Sequence, residues 1–129
     1  MSYTIDRKFS NEKFADIVER TRSALADKGF GVLTEIDVRS TLKKKLDADI
    51  ADYLILGACN PTMAHKAMQI EPRVGAMLPC NVIIRSLDDN TVEVSAIDPQ
   101  ASMQAIENAE LTKVAGDVRG LLATVIANI

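Results

Sequence analysis

The sequence contains little cysteine, and its cysteines do not form a recognisable metal-binding pattern. Cys59 and Cys80 are the two cysteines among 129 residues, and neither belongs to a CxxC or CxxH pair. The spacings typical of structural zinc sites are therefore absent. A chain of this length can bury about two-thirds of its unfolded surface, so it can fold without a disulfide or a metal ion. We expect both cysteines to be free thiols in a reducing compartment.

Long apolar runs and an excess of positive charge are also missing. No segment approaches the roughly 18 apolar residues needed to span a bilayer. The N-terminal MSYTIDRKFS lacks the apolar core of a signal peptide. These absences predict a cytoplasmic protein with no membrane partner. The net charge is −3, with 15 basic and 18 acidic residues, which argues against a general nucleic-acid-binding protein.

The remaining composition is that of an ordinary globular protein. Hydrophobic residues make up 47% of the chain and charged residues 26%, and the length fits a single domain over residues 1–129. Aromatic residues are scarce, at 4%, so we expect flexible methionine side chains to fill part of the core.

The spacing of the apolar residues predicts the element order β-α-β-α-β-α-β-β-α. Strands are predicted at 2–8, 30–38, 52–59, 80–87 and 91–97. Helices are predicted between Ser10 and Gly29, over 39–46, from Asn60 to just before Pro72, and from about Asn108 to near the C-terminus, with short helical turns at 74–78 and after Asp98. One hairpin combined with helical crossovers predicts an α+β fold with one five-stranded mixed sheet and helices mainly on one face.

Three segments have patterns that predict how their strands are placed in the sheet. The alternating positions from Phe30 to Val38 are expected to share one face of the second strand. Residues 52–59 are nearly all apolar, which predicts a central strand buried on both faces. The polar turn at 88–90 separates two alternating runs and predicts a β-hairpin.

Local signals mark where three helices begin. Asn60-Pro61 and Asp98-Pro99 each combine a preferred N-cap with a proline at the first helical position, where proline loses no hydrogen bond. Ser10 is predicted to cap the first helix, and Gly29 to end it in the left-handed conformation. Two helix N-termini are thus expected directly after apolar strands.

Five segments carry distinctive motifs: Leu56-Gly57-Ala58-Cys59-Asn60-Pro61 with Ala64 and Ala67, Leu78-Pro79-Cys80-Asn81-Val82, Asp98-Pro99 with Met103, Lys28 to Val32, and Leu42 to Leu46. Together they resemble the domain-of-unknown-function 302 family. The resemblance covers roughly residues 10 to 106. It implies a protein of bacterial or archaeal type with an α+β fold that is often dimeric. It implies no reaction.

The main candidate site centres on Cys59. This residue is predicted to end a strand just before a helix N-terminus, where a negative charge is favoured and a thiolate becomes a better nucleophile or metal ligand. His65 lies in the same helix. Cys80 begins the next strand and falls near Cys59 if that strand is antiparallel to residues 52–59. We therefore predict thiol, persulfide or redox-sensing chemistry at Cys59, with Cys80 as a resolving thiol and His65 as a base.

Two other interpretations involve the same residues. Both cysteines could be small core residues, with Asn60 acting as a helix cap. Alternatively, Cys59, Cys80 and His65 could bind Cu(I), Zn or haem iron, since Met63 and Met68 lie on the same helix. The sequence does not decide between them, and no cofactor is identified.

A small anionic molecule is a further possible ligand. If the Asn60 and Asp98 helix N-termini face one crevice, Arg73 or Arg85 could supply positive charge to a carboxylate or phosphate. The chain has no GxGxxG and no Walker sequence, so a nucleotide has no motif support. Asp98 would itself repel an anion.

The predicted one-sided sheet also suggests self-association. If helices cover one face, residues such as Ile83 and Leu87 remain exposed on the other face. A homodimer would bury them, and we expect one to form.

Overall fold

The computed structural model describes residues 2–88 and 90–129, so the predicted turn residue Asp89 lies outside the described residues. The strands are β1 (Thr4–Ser10), β2 (Gly31–Asp37), β3 (Tyr53–Cys59), β4 (Cys80–Leu87) and β5 (Thr91–Ile97). The helices are α1 (Phe14–Asp27), α2 (Val38–Leu46), α3 (Pro61–Ile70), α4 (Pro99–Ser102) and α5 (Ala109–Ala127), with a 3₁₀ helix at Pro72–Met77. The strands in this part of the chain form one five-stranded sheet in the order β1-β5-β4-β3-β2.

The sheet is antiparallel throughout, so the α+β class is confirmed but the prediction of a mixed sheet was wrong. Each neighbouring pair of strands runs in opposite directions. The helices α2 and α3 connect neighbouring antiparallel strands and are not crossovers between parallel ones. The helix α1 joins β1 to β2, which run in the same direction but lie at opposite edges of the sheet and do not pair.

One face of the sheet is covered by α1 and α5. Apolar residues at helical spacing line the inner side of both helices, as in Ile17 and Leu25 of α1 and Leu122 of α5, which are fully buried. They pack in one cluster with sheet residues such as Leu56 and Val82. Burying each such side chain contributes roughly 1.5–3 kcal/mol, so this layer holds the fold together.

The N-terminus of α1 differs from the prediction, whereas its C-terminus agrees with it. Ser10 is the last residue of β1, where it pairs with Thr91, and the N-cap of α1 is Lys13. The prediction that Ser10 caps the helix was therefore wrong, because β1 extends further than its apolar alternation indicated. Gly29 adopts a φ of 81° after the helix, as predicted for a left-handed C-terminal position.

A β-bulge in β2 changes which of its residues face the helices. Val32 pairs with Ala58, but Thr34 already pairs with Gly57, so Leu33 is an extra residue. Thr34 and Ile36 consequently lie on the opposite face from Val32. The prediction of one shared face from Phe30 to Val38 was wrong for this reason.

The strand β3 is buried on the side that faces the helices. On its other side, part of the strand is only half-buried. Leu54 and Leu56 are buried beneath the helices, whereas Tyr53 and Ile55 are half-buried on the face that α1 and α5 do not cover. The prediction of a strand buried on both faces was therefore wrong, although β3 does lie inside the sheet. We call the uncovered side of the sheet the open face.

Candidate functional site

Three strand ends meet at one edge of the sheet. The strands β3 and β5 flank β4 and run antiparallel to it. The last residues of β3 and β5, Cys59 and Ile97, therefore lie at the same edge as the first residue of β4, Cys80. The two helices that begin with a cap and a proline also start at this edge, because Asn60 and Asp98 directly follow β3 and β5.

Asn60 fixes the start of α3 as the sequence predicts. Its Oδ1 accepts a hydrogen bond from the Met63 backbone N–H at 3.3 Å, and Pro61 occupies the first turn. Its Nδ2 lies 3.5 Å from the carbonyl oxygen of Lys28, in the turn between α1 and β2. The residue after Cys59 thus fixes the direction in which the chain leaves the sheet.

An apolar cavity of about 30 Å³ lies under this edge. Its walls come from β3, α3, β4, α4 and α5, and Asn60 is the polar side chain among the described lining residues. Four of the lining residues contain sulfur: Cys59, Met63, Cys80 and Met103. Such a volume accommodates about one water molecule or a single heavier atom.

The two cysteines are neighbours across β3 and β4. Cys80 pairs with Ala58, so Cys59 is one residue further along, at a Cα–Cα separation of about 6 Å from standard strand spacings. Cys59 is half-buried, whereas Cys80 is only 7% exposed.

The pKa of the Cys80 thiol is raised, mainly because the side chain is buried. Burial, and secondly the neighbouring Cys59, raise the pKa of the Cys80 thiol from 9.0 to about 11. Cys80 is therefore protonated at neutral pH. Both effects disfavour a second negative charge at this edge of the sheet.

The raised pKa of Cys80 predicts a loss of stability in alkaline solution. The unfolded chain ionises Cys80 near pH 9 and the folded chain near pH 11, so the stabilisation is complete below pH 9 and is lost as the pH rises to 11. Two pKa units correspond to about 2–3 kcal/mol. Urea unfolding from pH 7 to 11 should show this decline in wild type and a smaller decline in Cys80→Ala. Identical declines would contradict the prediction.

A comparison with known proteins identifies the family. A family model described as "Domain of unknown function DUF302" matches residues 6–129. The chain belongs to the DUF302 family. The family that the sequence motifs resemble is thereby confirmed, and its description states no activity.

A solved DUF302 structure has the same fold. It is the crystal structure of an uncharacterised conserved DUF302 protein from Bacillus stearothermophilus, with a TM-score of 0.91 and 23% sequence identity. The match covers 99% of this chain and 98% of that chain. A search of curated proteins found no match. The function of this DUF302 chain therefore has to be argued from its site.

The structure does not bring His65 to the cysteines. In this DUF302 chain Met63, Ala64 and Ala67 form the side of α3 that lines the cavity. His65 is exposed and is not among the lining residues. Met68, the other predicted methionine of this helix, is also exposed, at 43%. Neither residue contacts the cavity in which the thiols lie.

The predicted anion-binding residues are dispersed. Arg73 has a side chain that is 93% exposed beside Glu71. Arg85 lies on the open face and pairs with Glu93 at 2.7 Å. Asp98 accepts a hydrogen bond from the Gln100 backbone N–H at 2.9 Å and pairs with Arg119 at 2.9 Å. Of the predicted ligand-binding residues, Asn60 is the one at the cavity.

Met103 is the site residue that the sequence analysis did not assign. It follows α4 and is 9% exposed, in a core cluster with Ala67 and Leu111. Its position depends on how the segment between α4 and α5 folds over α3. The local sequence carries no signal for this packing.

Neither a cluster of metal-binding side chains nor a membrane-spanning helix occurs in the described part of the DUF302 chain. Residues 2–88 and 90–129 contain no group of three or more His, Cys, Asp and Glu side chains placed to hold a metal ion. None of the helices within these ranges has the length and apolar character required to cross a membrane.

Proposed function

We propose that Cys59 is a reactive thiol that accepts sulfane sulfur from a small persulfide, with the apolar cavity sheltering the product. One observation carries the proposal: the half-buried Cys59 and the buried Cys80 line the same nearly apolar cavity. The cytoplasm would supply the reducing conditions that keep both thiols free.

The difference in burial between Cys59 and Cys80 gives the two thiols different roles. Two neighbouring thiols do not readily ionise together, and the more buried one keeps its proton. Burial raises the pKa of Cys80 to about 11, so Cys80 stays protonated at neutral pH and is the poorer nucleophile of the two. The thiolate is the nucleophilic form of cysteine, and Cys59 has the greater exposure to an incoming donor.

The proposed step is a transfer of one sulfur atom. The Cys59 thiolate attacks the outer sulfur of a donor R–S–SH, the donor's S–S bond breaks, and the released R–S⁻ takes a proton from water. Cys59 then carries a persulfide, and no external oxidant or reductant is consumed. The cavity of about 30 Å³ offers room for the added atom away from bulk water.

The ionisation of Cys80 favours a stored persulfide over a rapid redox switch. To form a disulfide, Cys80 would have to attack the inner sulfur of the Cys59 persulfide as a thiolate. A pKa of about 11 makes that thiolate rare at neutral pH. The persulfide on Cys59 is therefore expected to be lost only slowly to an internal disulfide with Cys80.

Peptide mapping by mass spectrometry tests this function. After treatment with a small persulfide donor, we expect one added sulfur atom on the peptide containing Cys59, in wild type and in Cys80→Ser. Cys59→Ser should gain none, and His65→Ala should behave like wild type because His65 faces solvent. Sulfur added at Cys80, or an unmodified Cys59, would refute the proposal.

A row of isoleucines supports self-association as a second property. On the open face, Ile36 pairs with Ile55, and Ile55 pairs with Ile83, so three apolar side chains adjoin across β2, β3 and β4. Ile36 is 48% exposed. We propose that a second copy of the chain covers this row, because apolar patches on sheets are commonly buried in homodimers.

Sedimentation velocity at micromolar concentration tests the homodimer. Wild type should sediment as a dimer and Ile36→Glu as a monomer. Leu46→Glu is the control, because Leu46 is 71% exposed but belongs to α2. A monomeric wild type, or equal effects of both substitutions, would end this proposal.

A further inference from the structure

Four sulfur-containing side chains from separate segments converge on the cavity under the sheet edge. Cys59 ends β3, Met63 lies in α3, Cys80 begins β4, and Met103 follows α4. Met63 packs against both core clusters of the described chain. The exposed Met68 and Met77, at 43% and 38%, lie outside this group.

We infer that this cavity binds a soft monovalent cation, Cu(I), through the Cys59 thiolate and the thioethers of Met63 and Met103, with the Cys80 sulfur beside them. Thiolate and thioether sulfur are the ligands that Cu(I) prefers. The donors differ from those the sequence suggested, since His65 and Met68 are replaced by Met103.

The charge balance favours a monovalent ion. One thiolate and one Cu(I) have no net charge, which suits a cavity with almost no polar lining. A divalent ion such as Zn²⁺ beside a single thiolate would leave a net positive charge in this apolar cavity. Zn²⁺ sites are also completed by histidine or carboxylate, and no such group of side chains occurs among the described residues.

The binding step requires no electron transfer. The Cys59 thiol loses its proton to solvent as its sulfur binds Cu(I), and the copper remains Cu(I) throughout. The half-buried Cys59 offers the route of entry, while Met103 is 9% exposed and lies deeper. The cavity volume of about 30 Å³ suits a single ion.

Anaerobic titration of the intact protein with Cu(I), against a chromogenic Cu(I) chelator, tests the inference. We expect one Cu(I) per chain in wild type. Met103→Leu and Met63→Leu should each weaken binding by about tenfold or more, since lost ligand-sphere contacts commonly cost at least that much. Met68→Leu and Met77→Leu should bind like wild type, and Cys59→Ser should not bind. Zn²⁺ in place of Cu(I) should give no one-to-one complex.

Leucine is close to methionine in volume, so the methionine variants should fold, and circular dichroism checks this. X-ray absorption of the copper complex should show sulfur neighbours alone. Nitrogen or oxygen neighbours, or equal weakening by Met68→Leu and Met103→Leu, would overturn the inference. Persulfide formation on Cys59 is measured without copper, so a failure of copper binding is distinguishable from a failure of sulfur transfer.

Discussion

Replacing Gly57 with alanine is expected to lower the free energy of unfolding by about 1–3 kcal/mol, because overpacking typically has a cost of this size. An added Cβ at Gly57 would overlap the Thr34 side-chain oxygen and lie 2.8 Å from Pro79 Cγ. Thr34 belongs to the neighbouring strand β2, and Pro79 immediately precedes Cys80. The substitution would therefore push apart β2 and β3 and displace the residue that places Cys80 at the cavity.

Equilibrium unfolding in urea measures this effect. Gly75→Ala is the matched control, because no atom of the described residues lies within 4 Å of a Cβ built there, and its stability should change by no more than about 1 kcal/mol. Adding Thr34→Ala to Gly57→Ala should restore part of the loss, since the contact with Pro79 remains. If Gly57→Ala were as stable as Gly75→Ala, the close packing at this edge would be refuted.

Alkylation of the folded protein at neutral pH is expected to be at least about 100-fold faster at Cys59 than at Cys80. The pKa of Cys80 is raised from 9.0 to about 11, and two pKa units reduce the thiolate fraction about 100-fold relative to an ordinary thiol. Cys80 is also only 7% exposed, which slows the approach of a reagent further.

Two single-cysteine variants separate the rates. Cys80→Ser reports on Cys59, and Cys59→Ser reports on Cys80, each treated with iodoacetamide and followed by mass spectrometry. In denaturant the two rates should converge, because the folded environment causes the difference. Similar rates in the folded variants would remove the division of roles between the two thiols.

The helix starts at this site could be predicted because their signals are local. The cap and proline at Asn60-Pro61 and Asp98-Pro99 act within one turn of the chain, and both helices begin where these residues indicate. The hairpin strands β4 and β5 also follow from neighbouring residues. The proximity of Cys59 and Cys80 follows if β3 and β4 are antiparallel neighbours, as they are.

Features that depend on distant pairing could not be predicted in the same way. The bulge at Leu33 arises from the register between β2 and β3, which the alternation within β2 alone does not reveal. Strand directions were misjudged because a helix between two strands suggested a parallel crossover, whereas α2 and α3 connect antiparallel neighbours.

The error over His65 has a simple physical origin. The apolar residues Met63, Ala64, Ala67 and Ile70 share one side of α3, and that side packs inward. His65 lies outside this stripe, so the helical spacing itself predicts a solvent-facing histidine. Met103 is different, because its approach to the thiols depends on tertiary packing after α4.

Cys59 and Cys80 line one cavity, so one small species is expected to contact both thiols. Arsenite tests it most directly, because one arsenic atom can bridge two thiols that lie close together. We expect the folded wild type to retain one arsenic per chain after desalting, with both cysteines protected from alkylation, and Cys59→Ser and Cys80→Ser to retain none. Retention by either variant, or a wild type with a cysteine left unprotected, would contradict the account.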